Sequence, residues 1–217
     1  MPSFDSPSEE RLEAPPLIGS RLGLAALRRV LEAHRNWLDS RPDGQRASLE
    51  GIVLAEAALD QVNLERADLK AANFIDARMT GANLSGAVLE WAELGNATLI
   101  EADLSRADLT DAKLDLALLA VANLSETRLL RTSFRKANLR AARLQEADME
   151  QCDFREAVLQ DACLHPHFSC DLVCHAFQAI YLPTSTNHFI TCRTPHIPCT
   201  FTLGNRPPSI FESSLYI

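Results

Sequence analysis

Ala67-Asp68-Leu69-Lys70-Ala71-Ala72-Asn73-Phe74-Ile75-Asp76-Ala77 carries the deciding pattern of the chain in two consecutive copies. A large apolar residue, position i, recurs at every fifth place, and the residue two before it is small. Followed outward in both directions, position i returns without a slip from Leu49 to Leu164, 24 times in all. Nineteen of these are Leu, and the others are Phe74, Met79, Phe134, Met149 and Phe154. At i−2 stand 19 Ala, with Ile52, Val62, Thr127, Thr132 and Cys152 completing the set. An unbroken fixed period identifies a solenoid. It also assigns the interior to Leu and Ala, leaving no inward position for catalysis.

A helix repeats its apolar face at three and four residues and a strand at two, so five fits neither as a continuous element. It fits a short extended side followed by a corner. Residues i−2 and i then point the same way from an extended backbone, while i−1, i+1 and i+2 face out and carry the turn. Position i−1 is Asn or Asp at 63, 68, 73, 83, 103, 108, 123, 138, 148 and 153. These side chains suit turns and bond to their own backbone.

The recurring Ala-(Asp/Asn)-Leu unit, as in Ala82-Asn83-Leu84, Ala102-Asp103-Leu104, Ala107-Asp108-Leu109, Ala122-Asn123-Leu124 and Ala137-Asn138-Leu139, resembles the pentapeptide-repeat family. The resemblance covers residues 45–166 and implies an all-β right-handed quadrilateral parallel β-helix. Four pentapeptides would make one square coil, and the full set of repeats six coils. The chain tests that period itself. Phe74, Phe134 and Phe154 fall on one side at multiples of 20, and Asn63, Asn83, Asp103 and Asn123 align on another. Coils stacked at about 4.8 Å would make a rod roughly 29 Å long.

A solenoid needs caps at its ends. Residues 19–44 are expected to form an N-terminal capping α-helix and turn. Leu24, Leu27, Val30, Leu31, His34, Trp37 and Leu38 share one helical face, Ser20 is placed to cap the start, and Trp37 to cover the first coil. His34 reads as a packed helix residue rather than a catalytic one. Residues 1–18, rich in Pro and acids, are expected to be mobile. The tail, residues 167–217, differs in kind: four charged residues follow Leu164, against 46 before it. A short capping helix over 171–182, begun by Asp171, is expected, and irregular structure after it. An unselected extension of the reading frame explains the shift in composition equally well.

Net charge is −8, of which −7 falls on residues 45–164 (13 basic, 20 acidic). No apolar run is long enough to span a membrane, and the N-terminus lacks a signal-peptide pattern, so a cytoplasmic bacterial protein with free thiols is expected. Cys152 at i−2 would point inward and Cys163 outward. One charge run stands out. Arg128, Arg131, Arg135, Lys136, Arg140 and Arg143 follow one another with no acid between Glu126 and Glu146, in what would be the fifth coil. Such a run is ordinarily a solvated belt paired with neighbouring acids. Its functional reading is a docking surface for a charged protein. Direct nucleic-acid binding is not expected, because the belt wraps all four sides.

The resemblance also brings the quinolone-resistance members of the family, acidic rods that mimic DNA and protect gyrase. Acidity and length permit the same role here, as the alternative to a non-catalytic protein-interaction module. His165, His167, Cys170, Cys174, His175, Cys192, His196 and Cys199 are zinc-ligand types, but their spacing matches no standard finger or ribbon, so no metal or other cofactor is assigned. An open end at the sixth coil would permit a homodimer through the C-terminal end. Neither a phosphate-binding glycine loop nor a nucleophile beside a base supports an enzyme.

Overall fold

The computed structural model describes residues 22–164, together with 189–193 and 198–202. From residue 48 onward the backbone bridges to itself at a constant offset of 20, always in parallel: Ser48 with Asp68, Asn63 with Asn83, Asn138 with Val158. The last of these pairings is long enough to form two strands, β1 (Arg143–Leu144) and β2 (Cys163–Leu164), in the same register. Four repeats therefore bring the chain back to the same side, one turn further along.

One repeat shows why the motif has the residues it has. Asp68 N–H donates to the Ala47 carbonyl at 2.9 Å, Leu69 N–H to Val88 at 2.8 Å and Ala71 N–H to Glu90 at 2.7 Å, all to adjacent turns. Ala72 N–H closes the corner on the Leu69 carbonyl at 3.0 Å. The fifth donor, Lys70 N–H, is taken by Asp68 Oδ1 at 3.3 Å. All five amides are satisfied, as an ordered backbone requires. The same side-chain bond, from i−1 to the amide two residues on, forms at every one of the ten Asn and Asp positions named above. Arg78 has no acceptor to offer at i−1, and the Ser133 hydroxyl donates to Asp115 instead. There an acid one turn earlier substitutes: Asp60 accepts from Thr80 N–H at 3.2 Å, and Asp115 from Arg135 N–H at 3.1 Å.

The corner itself is made at i+2. Every i+2 residue from 51 to 161 has φ between 52° and 63°, and only Gly51, Gly81 and Gly86 among them lack a Cβ. Positive φ at the third turn residue marks a type II turn. It costs about 1–2 kcal/mol for an L-residue outside glycine. The bonds to neighbouring turns hold it in place, so the side chain at i−1 stays extended and is not the left-handed residue.

Inside, the large residues from Leu49 to Leu159 are buried. Phe134 and Phe154 stack with ring centroids 5.0 Å apart and planes within 2°, as a common side demands. Near the ends of the column Ala57, Val62, Ala147 and Ala162 are only partly covered.

Helix α1 spans Leu24–Leu38, with Gly23 rather than Ser20 at its N-cap and no side-chain cap bond. Ser20 lies outside the described residues. Leu24, expected on the packed face, is exposed because it sits in the first turn, while Leu27 and His34 are buried. The helix ends in a Schellman motif: Ser40, at φ 56°, donates to the Trp37 carbonyl and Arg41 to that of Asn36. The chain then passes so close under the helix that Gln45 N–H reaches the Ala33 carbonyl at 2.9 Å. His34 Nδ1 accepts from Ala47 N–H at 3.1 Å, joining helix to rod, and its buried Nε2 has no well-formed hydrogen bond among the described residues.

Burial lowers the His34 pKa, the Glu65 carbonyl opposes that, and Arg46 and Arg66 add to it while the Glu65 carboxylate counters. The unfolded chain therefore takes up the proton first. The junction's contribution is complete above the ordinary value of 6.5 and is lost as pH falls below it. Thermal unfolding should drop between about pH 7.5 and about pH 5.5, and His34→Leu should flatten that drop. An equal fall in both proteins would show that the ring does not titrate on unfolding.

In the tail, expected to be irregular beyond 182, β3 (Phe189–Arg193) pairs antiparallel with β4 (Pro198–Thr202), Cys192 opposite Cys199. Both strands carry β-branched and aromatic residues, which suit a pleated backbone. Residues 1–18, the expected helix over 171–182, and His165, His167, Cys170, Cys174, His175 and His196 lie outside the described residues.

Candidate interaction surface

Outward charges pair along the rod, across one turn. Lys70 reaches Glu90 at 3.0 Å, Lys113 reaches Glu93 at 2.7 Å and Arg106 reaches Glu126 at 2.9 Å, each at an offset of 20. Hydrogen bonding to Arg106 holds the Glu126 carboxyl below its ordinary range, and Arg131 does the same to Asp111. Such exposed pairs are weak singly and are screened by salt.

The basic run joins this pattern. Arg131 grips Asp111 with two bonds, at 2.6 and 2.5 Å, and Arg135 reaches Asp153 at 2.5 Å. Arg128 lies 3.4 Å from Asp108, Lys136 3.6 Å from Glu156 and Arg140 4.0 Å from Asp161. Arg143 is exposed, and no ion pair is found for it among the described residues. The six cations thus encircle one turn, and the turns before and after neutralise five of them to different degrees.

The interior offers no chemistry. Among the described residues its three polar groups are each bonded to a backbone carbonyl: Thr127 Oγ1 to Leu124 at 2.6 Å, Thr132 Oγ1 to Leu109 at 2.8 Å and Cys152 Sγ to Leu129 at 2.8 Å. Burial pushes the Cys152 thiol up to about 12, so it stays protonated and inert. Cys163 is exposed. Among the described residues no three His, Cys, Asp or Glu side chains are grouped to hold a metal ion, and no helix is long and apolar enough to cross a membrane.

One stretch of the exterior is apolar. Leu116, Leu118, Val121 and Val158 are 48%, 40%, 55% and 47% exposed. Leu118 bridges Thr98 and Asn138, and Asn138 bridges Val158, so Leu118 and Val158 share one column with Asn138 between them, and Leu116 and Val121 stand at the corners on either side of it. The signal was available in Leu116-Ala117-Leu118-Leu119-Ala120-Val121, where every outward position is apolar. Trp91, half exposed at another corner, carries Lys70 Nζ 4.5 Å above its ring.

A family model described as pentapeptide repeats matches in eight copies, at residues 47–86, 82–119, 112–151 and 132–165. Among solved structures, HetL of the cyanobacterium Nostoc sp. strain PCC 7120, a pentapeptide repeat protein involved in heterocyst differentiation regulation, is 33% identical with a TM-score of 0.52. The match covers 54% of this chain and 54% of HetL, so this chain spans about half the length of that relative. Rfr23 of the cyanobacterium Cyanothece 51142 is 27% identical over 55% of this chain and 84% of its own, with a TM-score of 0.28. QnrB1, a plasmid-mediated fluoroquinolone resistance protein, is 16% identical over 62% of this chain and 83% of its own, with a TM-score of 0.29. A comparison with curated proteins finds no match. With the family model spanning residues 47–165 and the backbone returning to itself every four repeats, the chain belongs to the pentapeptide-repeat family and folds as a right-handed β-helix.

Proposed function

We propose that this chain is a non-catalytic protein-interaction module: a cytoplasmic rod of six coils, sealed at one end by α1, that presents outward side chains to another protein. One observation carries the reading. Every inward group is either apolar or bonded to backbone, so chemical variety is confined to a rigid exterior. Rigid presentation lowers the ordering cost of binding. Within this reading Arg128, Arg131, Arg135, Lys136, Arg140 and Arg143 form a partner-binding belt. Arg140 and Arg143 are its freest members, since the other four reach their acids at 3.6 Å or less.

A photo-crosslinking residue placed at Arg143 or Leu118 in living cells tests the reading. A discrete protein adduct, competed by excess unlabelled chain, is the expected result. Absence of adducts from both sites would remove the proposal. A second reading, a DNA-mimicking inhibitor or protector of gyrase, draws on the 14 acids and six bases of residues 45–126. It requires purified protein to alter gyrase supercoiling, and no effect at large molar excess would end it.

A further inference from the structure

Leu116 and Val121 are exposed, and both also stand at left-handed corners, with φ 63° and 62°. Val121 is the one β-branched residue among the 23 corner residues from 51 to 161. A branched side chain at positive φ is a genuine outlier, and strain of this kind points to use rather than to folding. Neither burial nor backbone preference accounts for these two side chains.

From Leu116 to Ser125 the chain carries no charge, between Asp115 and Glu126. Ala120 continues the strip, and half-buried Ile100 lies one turn before it. Lys136 and Arg140 lie one turn after, about 4.8 Å along the axis from Leu116 and Ala120. These two cations have the longest ion pairs of the basic run, 3.6 and 4.0 Å, to half-exposed or more exposed acids. Apolar side chains and loosely paired cations thus share one flat side.

We propose that this side, Leu116, Leu118, Val121 and Val158 with Lys136 and Arg140, docks a protein segment whose chemistry is aliphatic and acidic. The inference rests on the interaction reading above and names the partner's chemistry. The partner's aliphatic side chains cover the strip, and a carboxylate beside them displaces Glu156 or Asp161 as the counterion. A second copy of the chain fits less well. Parallel rods with strips superposed bring their basic bands face to face, and antiparallel rods set Glu156 on Asp76.

The test is selection from a random dodecapeptide display library on the full chain, followed by anisotropy with a synthetic peptide of the enriched sequence. Leu, Ile or Val beside Asp or Glu is the expected consensus. Leu118→Ser and the pair Lys136→Glu with Arg140→Glu should each weaken binding about tenfold or more. Val121→Gly separates use from folding: it should raise Tm by about 2 °C through relief of the positive φ and still weaken the peptide. Arg106→Gln, at another corner and outside the basic run, should change nothing. Binding that depends on Arg143 but not on Leu118 overturns this docking side and leaves the interaction reading standing. No enrichment, whether because a second copy or residues 165–217 occupy the side, also overturns it. So does a consensus without acids.

Discussion

Leu104→Lys should abolish cooperative unfolding of the rod or lower its Tm by about 10–15 °C, as a cost of several kcal/mol implies for a chain of this size. Leu104 is fully buried, and so are Leu84 and Leu124, one turn to either side of it in the same column. The ammonium would enter an interior whose few polar groups are already bonded, with no carboxylate to meet it. The column is also too narrow for the stem to bend out between turns, because each turn is bonded to the next at three points per side. Circular dichroism through a thermal ramp reads the result. Leu104→Met serves as the control: Met79 and Met149 already occupy equivalent places, and such a swap usually costs under about 1.5 kcal/mol. A wild-type melt for the Lys variant would show that position i does not face inward.

The second large effect is expected at Gly44. A Cβ there would lie 2.3 Å from Trp37 N, 2.4 Å from Trp37 Cα and 2.5 Å from Asn36 C. All three are backbone atoms of α1, so no rotamer change relieves the overlap. Gly44→Ala should lift the end of the helix from the rod. The Gln45–Ala33 and Ala47–His34 bonds would go with it. Overpacking of this kind costs about 1–3 kcal/mol. Faster hydrogen exchange at the Ala47 amide, with the amides of residues 84–124 unchanged, would place the damage at the junction. Uniform acceleration along the whole rod would mean that helix and rod unfold as one unit, and the local account would fail.

The period of five is legible because burial leaves its mark at every repeat, and the four-repeat turn because it brings Phe74, Phe134 and Phe154 to one side. The local bonds of Asn63 and its nine counterparts follow from side-chain length alone. The left-handed corner is not legible. Its residues run from Glu56 and Arg66 to Trp91 and Val121 without common chemistry, since the adjacent turns impose the conformation. The help that Asp60 and Asp115 give to amides one turn further on is equally invisible to a local reading. At the surface, the basic run is legible from charge alone. Its partners were readable at the same offset, as with Arg131 and Asp111, but outward apolar residues were hidden among inward ones of the same type. The cap at Gly23 in place of Ser20 reflects how little a helix start depends on one side chain when tertiary packing holds the helix.

The constant return after four repeats also sets rules for how such a gene can change length. Duplicating four consecutive repeats adds a turn and leaves every column aligned, so Leu118 and Val158 would still share a side with Lys136 and Arg140 nearby. Duplicating a single pentapeptide keeps the interior just as apolar but rotates everything beyond it by a quarter turn relative to α1. Between residues 121 and 136 that event would part the apolar strip from its cations, while the core contacts across it would change partners and stay apolar. Inheritance of these rods is therefore permissive in single repeats for folding and restrictive to whole turns for recognition.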